Sequence, residues 1–74
     1  MKEYKTTDMY LAAYLKALGN KIVSVDRGNK TKFVFEDTEL LQEKILEYYN
    51  EGGTISPLKY INNIKTIKAM TFST

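Results

Sequence analysis

The chain reads as an α+β domain in the order α-β-β-α-α, one β-hairpin packed against three helices, and three observations carry that reading. Apolar residues recur at helical spacing in three separate segments, the spacing changes to two across residues 21 to 36, and capping or breaking residues stand at the junctions. The first helix is expected over residues 7 to 18. Thr6, Thr7 and Asp8 offer acceptors for the free N–H groups of its first turn, and Gly19-Asn20 closes it. Leu11, Tyr14, Leu15 and Leu18 form its buried stripe, while Ala12, Ala13 and Ala17 are thin enough for another element to approach closely. Tyr10 and Tyr14 lie beside that stripe, as core or rim packing rather than as an aromatic platform for a ligand.

From Lys21 onward the side chains alternate. Val23, Val25, Phe33 and Phe35 are expected on one face, to be covered by the first helix, with Ile22 and Val34 on the other. Gly28-Asn29 supplies residues that tolerate positive φ in the turn between the strands. Asp37 or Thr38 then caps a helix over 38 to 50 that breaks at Gly52-Gly53, with Leu41, Ile45, Tyr48 and Tyr49 facing inward. After a short extended link at Thr54-Ile55, Ser56-Pro57 is an N-cap followed by proline at the first helical position. The last helix should run to about Met70 with Tyr60, Ile61, Ile64 and Ile67 inward. Residues 71 to 74 are expected to fray, with Phe72 as an anchor. Residues 1–74 make a single domain. Because a lone hairpin is marginal, the face bearing Ile22 and Val34 needs a cover, either the last helix or a second copy of the chain.

Composition narrows the chemistry. With 74 residues and 43% of them hydrophobic, the chain suits one small soluble domain with a thin core. It has no Cys and no His, which removes disulfides, thiolate metal sites and the commonest acid-base group; no cofactor or metal is expected. Absence of Cys fits a reducing cytoplasm. The opening Met1-Lys2-Glu3-Tyr4-Lys5 has no apolar region behind it and does not read as a signal peptide. The longest apolar run, Met9 to Leu15, is too short to span a bilayer.

Catalysis is not expected. Ser24, Ser56 and Ser73 fall in a strand, a cap and a tail with no histidine to activate them, and the carboxylates diverge along a convex helix face instead of converging on a pocket. Gly52-Gly53 lacks the lysine and the preceding strand of a phosphate-binding loop.

Charge is more informative than chemistry. Residues 36 to 51 carry a balance of −5 and the remainder +7. Within the acidic stretch Glu39, Glu43, Glu47 and Glu51 recur every fourth residue, with no cation alternating along the same strip. Like charges at that spacing destabilise a helix by a few tenths of a kcal/mol per pair, and with the last two near the negative end of the helix dipole the cost totals about 1 kcal/mol. Four residues of helix advance about 6 Å, close to the spacing of successive phosphates. The strip can therefore imitate a nucleic-acid backbone to a protein that binds one.

The run Thr6-Thr7-Asp8-Met9-Tyr10-Leu11-Ala12-Ala13-Tyr14-Leu15-Lys16-Ala17-Leu18-Gly19, followed by a hairpin ending Phe33-Val34-Phe35-Glu36-Asp37, resembles a family of short uncharacterised proteins carried by bacteria, phages and other mobile elements. The resemblance covers most of the chain. It implies the same α-β-β-α-α layout and no known activity, and a small mobile-element protein that binds something.

Three readings follow. The first is a protein-binding module, in its most concrete form an inhibitor whose acidic strip, Glu39, Glu43, Glu47 and Glu51, occupies the basic groove of a host nucleic-acid-binding protein. The second is direct DNA or RNA binding through Lys21, Arg27, Lys30 and Lys32 around the hairpin and Lys59, Lys65 and Lys68 on the last helix. Phe33-Val34-Phe35 has the aromatic alternation of an RNA-recognition strand, without that motif's glycines or four-stranded platform. The third is a homo-oligomer using Ile22, Val34, Leu40 and Leu46.

Overall fold

The structure, a computed structural model, describes residues 2–50 and 55–72. Its order is β1 (Glu3–Thr6), α1 (Met9–Ala17), β2 (Ile22–Arg27), β3 (Thr31–Glu36), α2 (Glu39–Tyr49) and α3 (Pro57–Phe72). The α+β class holds: three helices accompany a three-stranded antiparallel sheet of order β1-β3-β2. The expected order lacks the first strand. β1 adds to the free edge of the hairpin, pairing Glu3 with Glu36, Tyr4 with Phe35, Lys5 with Val34 and Thr6 with Phe33. The pairing extends one residue further, where the Asp37 N–H donates to the Lys2 carbonyl. β3 thereby becomes the central strand, and Phe33, Val34 and Phe35 are all buried.

Helix ends follow local chemistry. Asp8 caps α1, its Oδ1 accepting from the N–H groups of Tyr10 and Leu11 at 3.0 and 3.1 Å. Thr6 Oγ1 accepts in turn from the Asp8 N–H. The helix starts two residues later than expected because Thr6 belongs to β1. At its other end Gly19 takes φ +100°, a value that side-chain-bearing residues rarely adopt. Thr38, not Asp37, caps α2 by accepting from the Leu41 N–H at 3.0 Å. Asp37 instead accepts from the Gln42 amide. Ser56 Oγ accepts from the Lys59 N–H ahead of α3.

The core lies between the sheet and the helices. Leu11, Ala12, Ala13, Tyr14 and Leu15 of α1 meet Phe33 and Phe35 of β3, Leu41 and Ile45 of α2 and Ile67 of α3. α1 is buried nearly all round, and its alanines are what let α3 lie close against it. Two phenylalanines and several Leu or Ile side chains, each contributing about 1.5–3 kcal/mol on full burial, supply most of the drive to fold.

The expected strand faces need correction. A bulge falls between Ile22 and Ser24: Ile22 pairs with Phe35, whereas Ser24 pairs with Val34 and Val25 with Phe33. The extra residue shifts the alternation, so Ile22 joins Val25 against the core while Val23 is 46% exposed. On the outer face Val34 is buried among its neighbours, with Lys5 and Ser24 as its cross-strand partners. That face therefore does not present the apolar pair for which a cover was expected. The turn differs too. Gly28 does not adopt positive φ; its N–H donates to the carboxylate of Asp26, two residues before it, at the start of a three-residue loop.

Two residues expected inward stand at the edges of their stripes, Tyr49 at 61% exposure and Ile61 at 49%. α3 also continues through Thr71 and Phe72, past the expected fraying point. Glu51, the Gly52-Gly53 break, Thr54 of the extended link, the Phe72 side chain and the tail residues Ser73 and Thr74 lie outside the described residues.

Candidate functional site: the acidic helix and a tyrosine cluster

The acidic row is only partly as the sequence suggests. Glu39 and Glu43 are exposed and have no cation partner among the described residues. Glu47 is half-buried and paired with Lys44 of its own helix, Nζ to Oε1 3.4 Å. The reason is geometric. At about 3.6 residues per turn, each step of four overshoots one turn by about 40°, so by Glu47 the row has rotated towards α1. There its carboxylate becomes a charged neighbour of the Tyr14 hydroxyl, as does Lys44. Glu51 lies outside the described residues. Among the described residues the unpaired part of the row is therefore Glu39 and Glu43, with exposed Leu40 beside them and exposed Leu46 further along α2.

The basic residues do not form a single surface dedicated to phosphate. Lys21, Lys30, Lys32, Lys59, Lys65 and Lys68 are exposed, and Lys32 stands directly across from Asp26. Arg27 is used structurally: its guanidinium donates to the backbone carbonyls of Met70 and Thr71 at the end of α3. A cation there satisfies carbonyls that have no helical partner and opposes the negative end of the helix dipole. Arg27 thus ties the hairpin to α3.

Sequence reasoning missed a convergence of tyrosines. Tyr14, Tyr48, Tyr49 and Tyr60 form a connected set of ring contacts, with the Tyr10 carbonyl accepting from Tyr60 and Tyr4 within electrostatic reach of Tyr49 and of the capping Asp8. The Tyr14 ring lies 5.4 Å from that of Tyr48 and 6.4 Å, edge-on, from that of Tyr60, and Tyr48 is 5.4 Å from Tyr49. The Tyr60 hydroxyl donates to the Tyr10 carbonyl at 3.1 Å and interacts with the Tyr48 hydroxyl. These contacts bind α2 and α3 to α1. Burial pushes the Tyr48 phenol up to about 12, reinforced by the Asp8 carboxylate and the Tyr60 hydroxyl. Burial likewise raises Tyr4, Tyr14 and Tyr60. Tyr14 is 5% exposed, yet its hydroxyl has no hydrogen-bond partner of normal geometry. No local signal marks this cluster, since its members come from four elements; the one available hint was the concentration of aromatics as tyrosine.

Among the described residues no group of three or more carboxylates is placed to hold a metal ion, and no helix is long and apolar enough to cross a membrane. A surface depression of about 300 Å³ beside the bulge is lined by Lys21, Val23, Phe35, Glu36 and Thr38, with Gly19 and Asn20. It carries one charge of each sign on its rim, and no convergent set of donors.

The match to a family model extends over residues 1–73. The chain belongs to the family described as Domain of unknown function (DUF5659). Neither the curated proteins nor the solved structures contain a match to it. The match spans every element described above, from β1 through α3, and leaves function to be argued from the surface.

Proposed function

We propose that this chain is a small, non-enzymatic protein-binding module that presents one flank of α2 to a basic, partly apolar groove on another protein. The observation that carries the reading is the exposure of Glu39 and Glu43, with no in-chain cation partner among the described residues, next to exposed Leu40. Unpaired carboxylates on a helix favour a partner with Lys or Arg at its rim, and the leucine favours an apolar floor. A nucleic-acid-binding protein of the host has such a groove, and a cytoplasmic inhibitor borne by a phage or other mobile element is the most concrete version. Among the described residues Glu47 of the row is already paired with Lys44, so the apolar contact shares the work with charge mimicry.

The test compares wild-type chain and the Leu40→Ser/Glu43→Gln variant as immobilised baits in a bacterial lysate at low and high salt. The expected result is a basic nucleic-acid-handling protein retained by the wild type, released by salt and lost with the variant. Equal retention by both would remove the proposal. A mobility shift with unrelated DNA and RNA serves as the counter-test. Steeply salt-dependent binding of free nucleic acid would favour the lysines as the working surface.

A further inference from the structure

The outward stripes of α2 and α3 complement each other, and within one chain both face solvent. On α2, Glu39, Gln42, Leu46 and Tyr49 stand three, four and three residues apart; on α3, Leu58, Ile61, Lys65 and Lys68 repeat those intervals. At about 3.6 residues per turn each set forms one stripe along its helix. All eight residues are exposed, and the four large apolar ones each leave about half to two-thirds of their surface in water. Exposed apolar groups in such alignment mark an interaction surface more than a solvated face.

Polarity runs in opposite directions along the two stripes. α2 begins with Glu39 and Gln42 and ends with Leu46 and Tyr49. α3 begins with Leu58 and Ile61, ends with Lys65 and Lys68, and has no acidic residue anywhere in its length. We propose that the α2 stripe of one copy packs antiparallel on the α3 stripe of a second copy. The antiparallel register sets Glu39 against Lys68, Gln42 against Lys65, Leu46 against Ile61 and Tyr49 against Leu58. The parallel register would oppose lysines to Leu46 and Tyr49 and carboxylate to Leu58, so the charge pattern selects the direction. Equal intervals on both helices keep the four layers aligned over about 15 Å. The two stripes are different patches, and each copy offers one of each, so two contacts formed together close a dimer and unclosed contacts extend it. The partner reading above shares Glu39 with this stripe but otherwise uses Leu40 and Glu43, on the other flank of α2, and it is tested by the Leu40→Ser/Glu43→Gln variant, which leaves this stripe intact, so either can fail alone.

The test is a charge exchange read by sedimentation velocity, with circular dichroism confirming that every variant folds. Wild type should associate into dimers or larger species, and added salt should weaken that association. Glu39→Lys alone and Lys68→Glu alone should each weaken association by at least about tenfold. An equimolar mixture of the two, and the single chain carrying both exchanges, should recover it. Leu58→Ser, at an exposed position that does not support the core, should weaken association without reversing any charge. A wild type that stays monomeric at high concentration and low salt, or a mixture no better than either variant alone, would overturn the proposal.

Discussion

Replacing Tyr14 with Phe should stabilise the protein. The ring is held on two sides, by Tyr48 at 5.4 Å and Tyr60 at 6.4 Å, and Phe keeps both contacts. What leaves is a hydroxyl buried without a hydrogen-bond partner of normal geometry. Stripping a hydroxyl of water without replacing its hydrogen bonds costs about 1–3 kcal/mol. The Glu47 carboxylate returns part of this, as a charged neighbour and as a weak acceptor for the phenolic proton outside normal hydrogen-bond geometry. The net gain from Tyr14→Phe should therefore be about 1 kcal/mol, a rise in Tm of about 4–8 °C for a domain of this size. Tyr48→Phe is the matched control, because its hydroxyl does interact with Tyr60; it should lose about 0.5–1.5 kcal/mol. Urea unfolding followed by tyrosine fluorescence or far-ultraviolet dichroism measures both. A loss of 1 kcal/mol or so on Tyr14→Phe would show that the hydroxyl is hydrogen-bonded in solution, and the account of this cluster would fail.

Two further outcomes follow from the same structure. Ile22→Ala should cost about 1–2 kcal/mol, whereas Val23→Ala should cost under about 0.5 kcal/mol, because the bulge turns Ile22 to the core and Val23 to water; equal costs, or the reverse order, would restore the simple alternation. At high pH, the raised phenols keep their protons in the folded chain after the unfolded chain has lost them, so the stability they contribute is complete below about pH 10 and falls as pH rises towards about 12, the value for Tyr48. Absorbance titration at alkaline pH should show part of the tyrosinate signal delayed until unfolding, and coincident titration of native and denatured protein would contradict the buried cluster.

Helix positions were legible because caps and stripes are local chemistry. Asp8, Gly19, Thr38 and Ser56 act within a few residues of themselves, and each works close to where the sequence places it. The strand β1 was not legible, since Glu3-Tyr4-Lys5-Thr6 has the charges of a solvated tail and becomes a strand only when β3 offers an edge more than 25 residues away. The signal that could have found it was Phe33-Val34-Phe35. Three consecutive apolar residues are unnecessary in a two-stranded ribbon open on one face, but suit a central strand buried on both. The bulge at Ile22 had no such signal, because it preserves composition and changes only phase.

The same distinction governs the candidate site. That α2 is acidic could be read from its residues, but which acids remain free depended on α1, on Lys44 and on 40° of drift per step. A charge row four residues apart is a line in sequence and a shallow spiral on the helix, so one end of it turns back into its own molecule. Glu39 and Glu43 lie on the part of the spiral that faces away. If an outside protein reads this helix through charge, neutralising Glu43 should therefore weaken binding more than neutralising Glu47, whose charge is already opposed by Lys44. Equal effects would mean that the partner separates Glu47 from Lys44 on binding, and that the free chain's pairing does not set the contact.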